Sequence, residues 1–126
     1  MKLLIDTHLL LWWLDDSPSL VPQARTLISN PDNAIFLSAV SMWEIWLKVS
    51  LGKLRLPNDF ESILAGQGFE HLPLTATQAR NVAELPWIHR DPFDRMLIAQ
   101  AKSERLKFVT SDQTLSGYGD CVLVVN

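Results

Sequence analysis

A single cysteine, Cys121, stands among the 126 residues. No intrachain disulfide can form, nothing argues for an oxidising, secretory destination, and a reducing cytoplasm is the expected setting. The same scarcity removes the cysteine and cysteine–histidine spacings of zinc sites. No apolar run approaches the roughly 18 residues needed to cross a bilayer, so no membrane partner is expected. The opening Met1-Lys2-Leu3-Leu4-Ile5 imitates a signal peptide, but Asp6 and His8 break the apolar stretch and Asp15-Asp16 stand where small cleavage-site residues belong. It reads as part of the fold. A basic excess is also missing: 11 Lys and Arg against 14 Asp and Glu give a net charge of −3, mildly unfavourable for a phosphate-bearing partner. Acids gathered around a bound cation would be neutralised locally, leaving basic residues such as Lys48, Lys53, Arg55 and Arg95 free to meet phosphates.

What the chain has in quantity is apolar residues, 48% of the total, enough for one buried core in a single domain spanning 1–126. Leu3 to Ile5 is a short apolar run stopped by Asp6-Thr7, the mark of a buried parallel strand. Leu9 to Leu14 has helical spacing, and Pro18 to Ile28 reads as a second helix. Ala34 to Leu37 is the next strand. Ser38 then caps a long helix to about Leu51, with Val40, Trp43, Leu47 and Leu51 on one apolar stripe and Gly52 as its stop. A short helix through Leu64, a strand from Phe69 to Leu74, and a helix from Thr75 to Leu85 follow. Asp91-Pro92 opens a helix to about Leu106, and strands are expected at Lys107 to Val109 and Val122 to Val125. Strands that alternate with helices, apolar on both faces, predict a three-layer α/β/α sandwich around a parallel sheet of four to five strands.

Ligands of open α/β sheets bind beyond the carboxyl ends of the strands, which singles out four acids. Asp6 follows the first strand, Glu44 lies in the helix after the second, Asp94 opens the helix before the fourth, and Asp112 follows the fourth. Each also has an ordinary explanation. Asp6 can cap a helix, Glu44 precedes Lys48 by the four residues of a surface ion pair worth ~0.2–0.5 kcal/mol, and Asp112 can hold a turn. Asp91 and Asp94 at the N-cap and third position suit orphan amides and the helix dipole. Together the four say more, because carboxylates ~4 Å apart repel by several kcal/mol unless a cation sits among them. Oxygen donors suit Mg²⁺ or Mn²⁺; His8, His71 and His89 share no spacing and read as ordinary polar residues, with His8 near enough to Asp6 to face the site. A carboxylate-held cation of this kind points to hydrolysis of a phosphate ester.

These residues resemble the PIN-domain nucleases, and within them the VapC-type toxins of bacterial toxin–antitoxin pairs. The likeness spans the chain: Leu3-Leu4-Ile5-Asp6-Thr7, the segment from Leu37-Ser38 through Trp43-Glu44-Ile45, Gly52-Lys53-Leu54, His89-Arg90-Asp91-Pro92-Phe93-Asp94-Arg95 running on to Ala101, and Phe108-Val109-Thr110-Ser111-Asp112. It implies a Mg²⁺-dependent endoribonuclease, with Mn²⁺ as an alternative, in which Asp6, Glu44, Asp94 and Asp112 form a catalytic and metal-holding quartet. Asp6 and Asp94 would be the direct ligands. Thr7, Ser38 and Thr110 match the small hydroxyl residues beside the acids of similar proteins. Asp91 would support the site, and Arg95 would meet the substrate phosphate or hold the site by an ion pair. A homodimer and a cognate antitoxin that holds the enzyme inactive are implied as partners, with RNA as substrate.

Five tryptophans invite a base-stacking reading. The company of other large apolar residues favours core or protein–protein contact for Trp12, Trp13, Trp43 and Trp46 instead. Two rival readings are weighed beside the nuclease. A receiver-type signalling domain would want an acidic pair near the first strand and a late-strand lysine, neither of which is here. A noncatalytic RNA- or protein-binding module would keep the acids and bind metal without cutting.

Overall fold

Leu3, Leu4 and Ile5 are buried on both sides of strand β1 (Lys2–Ile5), as a central strand of a covered sheet requires. In the computed structural model, which describes all 126 residues, β1 lies in the middle of a five-stranded sheet of order β3-β2-β1-β4-β5. Its partners are β2 (Ala34–Ser38), β3 (Glu70–Leu72), β4 (Lys107–Thr110) and β5 (Val122–Val124), every pairing parallel. Leu4 faces both Phe36 and Phe108 across the ladder, which fixes which residues share a face.

Two apolar cores result. One gathers Leu3, Ile5, Ile35, Leu37 and Val109 against α1 (Thr7–Leu14), α2 (Pro22–Ser29) and α4 (Phe60–Ala65) through Leu9, Leu10, Ala24, Ile28, Phe60 and Leu64. The other sets Leu4 and Phe108 against Leu97, Ile98 and Ala101 of α6 (Pro92–Glu104). Helix α3 (Ala39–Ser50) joins them, giving Val40 to the second core and Ile45 to the first, while α5 (Ala76–Asn81) packs on α6. The three-layer parallel sandwich read from the sequence is the architecture found. Because every strand runs the same way, the carboxyl ends of β1, β2 and β4 lie at one edge, and the chain leaves them at Asp6, Ala39 and Ser111.

Several boundaries differ from expectation. Helix α2 begins at Pro22 instead of Pro18, because Leu20 N–H bonds to Ser17 in a separate turn and the helix starts where Pro22 occupies its first position. Strand β3 covers only Glu70–Leu72, and the helix expected to Leu85 turns to 3-10 geometry at Val82–Glu84. A 3-10 turn at Gln113–Tyr118 lies between β4 and β5, where the sequence shows no periodicity. Gly52 is indeed the stop of α3: at φ +72 it lets its own N–H reach Val49 and the Lys53 N–H reach back 2.9 Å to the Lys48 carbonyl, the two bonds of a Schellman end.

The apolar stripe assigned to α3 is the largest correction. Val40 is buried, but Trp43 is 61% exposed and Leu51 58%; the covered face carries Val40, Ser41, Glu44 and Ile45. Ser41 is chosen for its size and its bond from Thr7, and Glu44 for the acids it faces, so hydrophobic periodicity points at the wrong side. Trp43 instead meets Phe93 edge-on with ring centres 5.0 Å apart, and Trp46 meets Phe60 at 6.0 Å. Trp12 and Trp13 pack against the first core as expected.

Candidate metal centre

Asp6 is the first residue after β1 and caps α1. Its Oδ1 accepts the N–H groups of His8 at 2.7 Å and Leu9 at 3.4 Å, while Oδ2 accepts the Thr110 hydroxyl at 2.8 Å from the end of β4. Capping therefore accounts for part of Asp6 and leaves its carboxylate buried at the sheet edge, 5% exposed. Thr7 donates its hydroxyl to Ser41 at 2.9 Å, tying α1 to α3. Ser38 caps α3 by accepting Val40 N–H at 2.9 Å and donates its own hydroxyl to Gln100 of α6. Those bonds align the three helices whose first turns surround the acids.

Glu44, one turn into α3, is buried, and its Oε2 takes a 2.7 Å contact from Lys48. The four-residue spacing legible in the sequence is real, but the pair is not a surface one. Asp91 caps α6, its Oδ1 accepting Phe93 N–H at 2.8 Å and Asp94 N–H at 3.1 Å. Asp94 follows in the first turn, and its carboxylate accepts no hydrogen bond. Burial first, then the negative charges of Asp6, Asp91 and Glu44, push its carboxyl up to about 7. Asp112 caps the 3-10 turn after β4; Thr114 donates to its Oδ1 from the hydroxyl at 2.6 Å and the backbone at 3.0 Å, which holds the carboxyl below its usual range despite partial burial. His8, exposed on α1, has Nδ1 3.7 Å from Asp6 Oδ1, and that partner raises its pKa.

The structure thus brings Asp6, Glu44 and Asp91 within electrostatic reach of Asp94, with Thr110 bonded to Asp6, while Thr7 and Ser38 bond to Ser41 and Gln100 instead of to an acid. It also sets a carboxylate oxygen of Asp94, one of Asp112 and a ring nitrogen of His89 all within 4.8 Å of each other. Asp94 is raised by burial and then by neighbouring acids, with no donor on its carboxylate, and such an oxygen-rich donor set would fit a hard divalent ion such as Mg²⁺ or Mn²⁺.

His89 is the group that spacing did not find. Its Nε2 stands 3.4 Å from Asp112 Oδ2, and its Nδ1 accepts the Asp91 backbone N–H at 3.2 Å. Only its position two residues before Asp91 in the family-like segment could have drawn notice.

Arg95 lies elsewhere than expected. It is 4% exposed and donates from Nη1 to the Pro86 carbonyl at 2.8 Å and the Tyr118 hydroxyl at 3.1 Å, and from Nη2 to the carbonyls of Val82 at 3.1 Å and Leu85 at 3.4 Å. Its guanidinium sits 3.9 Å from the Trp87 ring centre. It pairs with no carboxylate and presents no open charge to a phosphate; a planar fork suits it to bracing the carbonyl-rich segment before α6.

Fold and site together define an α/β domain with an acid cluster at the carboxyl edge of a parallel sheet. The chain belongs to the PIN domain family, whose profile matches residues 3–120. Among solved structures it is similar to VapBC2 from Rickettsia felis, solved bound to a DNA fragment from its promoter, at 16% identity and a TM-score of 0.72 over 100% of this chain and 98% of that one. A toxin–antitoxin complex from Klebsiella pneumoniae is similar at 18% identity and TM-score 0.64, covering 96% and 95%. FitAcB from Neisseria gonorrhoeae is similar at 20% and 0.63, covering 98% and 96%. At such identities these likenesses carry the fold. A search of curated proteins by sequence gives no match.

Proposed function

We propose that the chain is a Mg²⁺-dependent endoribonuclease, with Mn²⁺ able to substitute, acting in the cytoplasm as the toxin of a toxin–antitoxin pair. PIN domains are typically metal-dependent nucleases. The observation that carries the reading for this chain is the gathering of acids at one sheet edge: Asp94, whose carboxylate accepts no hydrogen bond, lies within electrostatic reach of Asp6, Asp91 and Glu44 and has an oxygen within 4.8 Å of one from Asp112.

Asp6, Glu44, Asp94 and Asp112 would hold the cation, which when bound polarises a phosphodiester and makes water a nucleophile near neutral pH. The chain's own residues do the rest. Asp6 is aimed by three donors from two segments, so its free edge costs little to order. Lys48 Nζ lies 2.7 Å from Glu44 Oε2 and directs that carboxylate. With its carboxyl raised to about 7, Asp94 would lose its proton to water as a cation takes its place, so binding is expected to strengthen as pH rises toward 8. Mapping newly formed RNA ends after brief expression tests the assignment: the intact protein should yield ends bearing 5′-phosphate, and Asp6→Ala should yield none. Identical ends from both proteins would remove Asp6 from the chemistry.

Two protein partners complete the reading. A groove of about 450 Å³ runs from His8 and Lys48 along Leu11, Trp12, Leu56 and Phe60, with Lys53 and Arg55 also on its walls. Apolar lining with basic residues suits an antitoxin segment that carries apolar side chains and acids. The second partner is another copy of this chain, meeting the face of α3 where Trp43, Trp46, Leu47 and Leu51 are exposed. Sedimentation at micromolar concentration should return twice the chain mass, and Leu47→Glu should shift it toward the monomer. A monomer for the unsubstituted protein would count against pairing.

A further inference from the structure

We propose that His89 is a positioning residue for Asp112: its ring steadies one oxygen of that carboxylate and binds no metal itself. The proposal rests on the reading of the acids as cation ligands and adds a member that family-like spacing did not supply.

The tautomer decides between positioning and ligation. Asp91 donates its backbone N–H to His89 Nδ1 at 3.2 Å. A neutral imidazole that accepts at Nδ1 carries its proton on Nε2. The nitrogen facing Asp112 is then a donor without a lone pair, and it cannot ligate a cation while the Asp91 bond stands. The same Asp91 whose carboxylate caps α6 therefore sets the ring's orientation through its backbone.

Asp112 is consequently approached on both oxygens from different parts of the chain. Oδ1 accepts Thr114 from within its own turn, at 2.6 Å from the hydroxyl and 3.0 Å from the backbone, while His89 Nε2 approaches Oδ2 at 3.4 Å from the segment before α6. That second distance exceeds the N–H···O optimum, and such contacts commonly tighten when a site is assembled. The His89 segment is itself anchored. Its backbone N–H donates to the buried Tyr118 hydroxyl at 3.0 Å, and the same hydroxyl accepts Arg95 at 3.1 Å, so the ring stands on a support fixed to α6 and to the 3-10 turn. The anchor uses backbone, not ring. Removing the ring leaves it in place, which makes His89→Ala a clean probe.

Outer partners of metal-holding carboxylates typically contribute about 10–100-fold to affinity. With a contact this long, the lower end is expected. The experiment titrates Mn²⁺ into the purified full-length protein and follows free Mn²⁺ by electron paramagnetic resonance. His89→Ala and His89→Phe should each weaken binding about tenfold with thermal midpoints near that of the unsubstituted protein, and His89→Gln, whose amide can replace the donor, should recover most of the loss. Pulsed measurements on the Mn²⁺ complex should show no directly bound ring nitrogen. Unchanged affinity in both His89→Ala and His89→Phe would overturn the proposal, and a coordinated imidazole nitrogen would replace it with ligation. Should His89→Ala fail to fold, His89→Phe, which keeps the ring's bulk, decides the matter. Failure of the unsubstituted protein to bind Mn²⁺ at all would instead overturn the metal reading beneath it.

Discussion

Asp94→Asn is expected to cut RNA cleavage by orders of magnitude and, in the same protein, to raise the thermal midpoint of the metal-free form at pH 8. The two effects share one cause. In the folded chain the Asp94 carboxyl is lifted from its ordinary value of 3.8 to about 7 by burial and by the charges of Asp6, Asp91 and Glu44. Between about pH 4 and 7 the folded state therefore holds this proton more tightly than the unfolded one, and the group's contribution to stability declines as pH rises through that window. Above pH 7 the full cost of a crowded carboxylate stands. A shift of this size corresponds to at most ~4 kcal/mol, and partial exposure reduces it to roughly 1–2 kcal/mol. Asn avoids that cost, so the variant should melt several degrees higher at pH 8 and about level with the parent at pH 4. Mg²⁺ should stabilise the parent at pH 8 and the variant much less. Cleavage should fall by roughly two to three orders of magnitude or more, as for other losses of preorganised charge at a reacting centre. Superimposable pH–stability curves for the two proteins would show that Asp94 is not under the strain assigned to it.

Arg95→Ala is expected to destabilise the fold strongly. The guanidinium serves the carbonyls of Val82, Leu85 and Pro86 and the Tyr118 hydroxyl, and it lies against Trp87. Of these acceptors the buried Leu85 carbonyl is left with no donor, at about 1–3 kcal/mol, while Val82, Pro86 and Tyr118 keep bonds from Leu85, Ile88 and His89; truncation adds a void beside Tyr118. A total near 3 kcal/mol or above should lower the thermal midpoint by ~10 °C or more. Arg95→Lys should recover little, since one ammonium cannot span both pairs of acceptors. A phosphate-binding Arg95 would behave in the opposite way, leaving urea denaturation unchanged and raising KM alone.

The parts of this protein that sequence displays are those where one local signal dominates. Leu3-Leu4-Ile5 stopped by Asp6, Ala34 to Leu37 followed by the Ser38 cap, and Asp91-Pro92 at the head of α6 each combine an apolar run with a capping residue, and each element is where that pair places it. The Gln113–Tyr118 turn has no period to read, since a 3-10 segment is set by the Asp112 cap and by packing of Leu115 and Tyr118. Helix α3 misleads because its covered face gives two positions to Ser41 and Glu44, leaving its tryptophans outward.

The candidate site divides along the same line. Asp6, Asp94 and Asp112 stand out because each sits at a strand end or helix start that can be predicted, and Glu44 because it lies one turn into a helix with a predictable cap. His89 depends on a loop meeting a turn 23 residues further on, at 3.4 Å from Asp112, and nothing local encodes that meeting. Arg95 is next to Asp94 in sequence yet faces the opposite way, toward Pro86 and Tyr118, because successive residues on a helix do not share a face.

The central claim is that these acids make a cation-dependent ribonuclease. The direct measurement is cleavage of total RNA by the purified protein, first in Mg²⁺, then in excess EDTA, then with Mg²⁺ restored. Cutting in the first and third conditions and none in the second is the predicted result; undiminished cutting in EDTA would contradict the account.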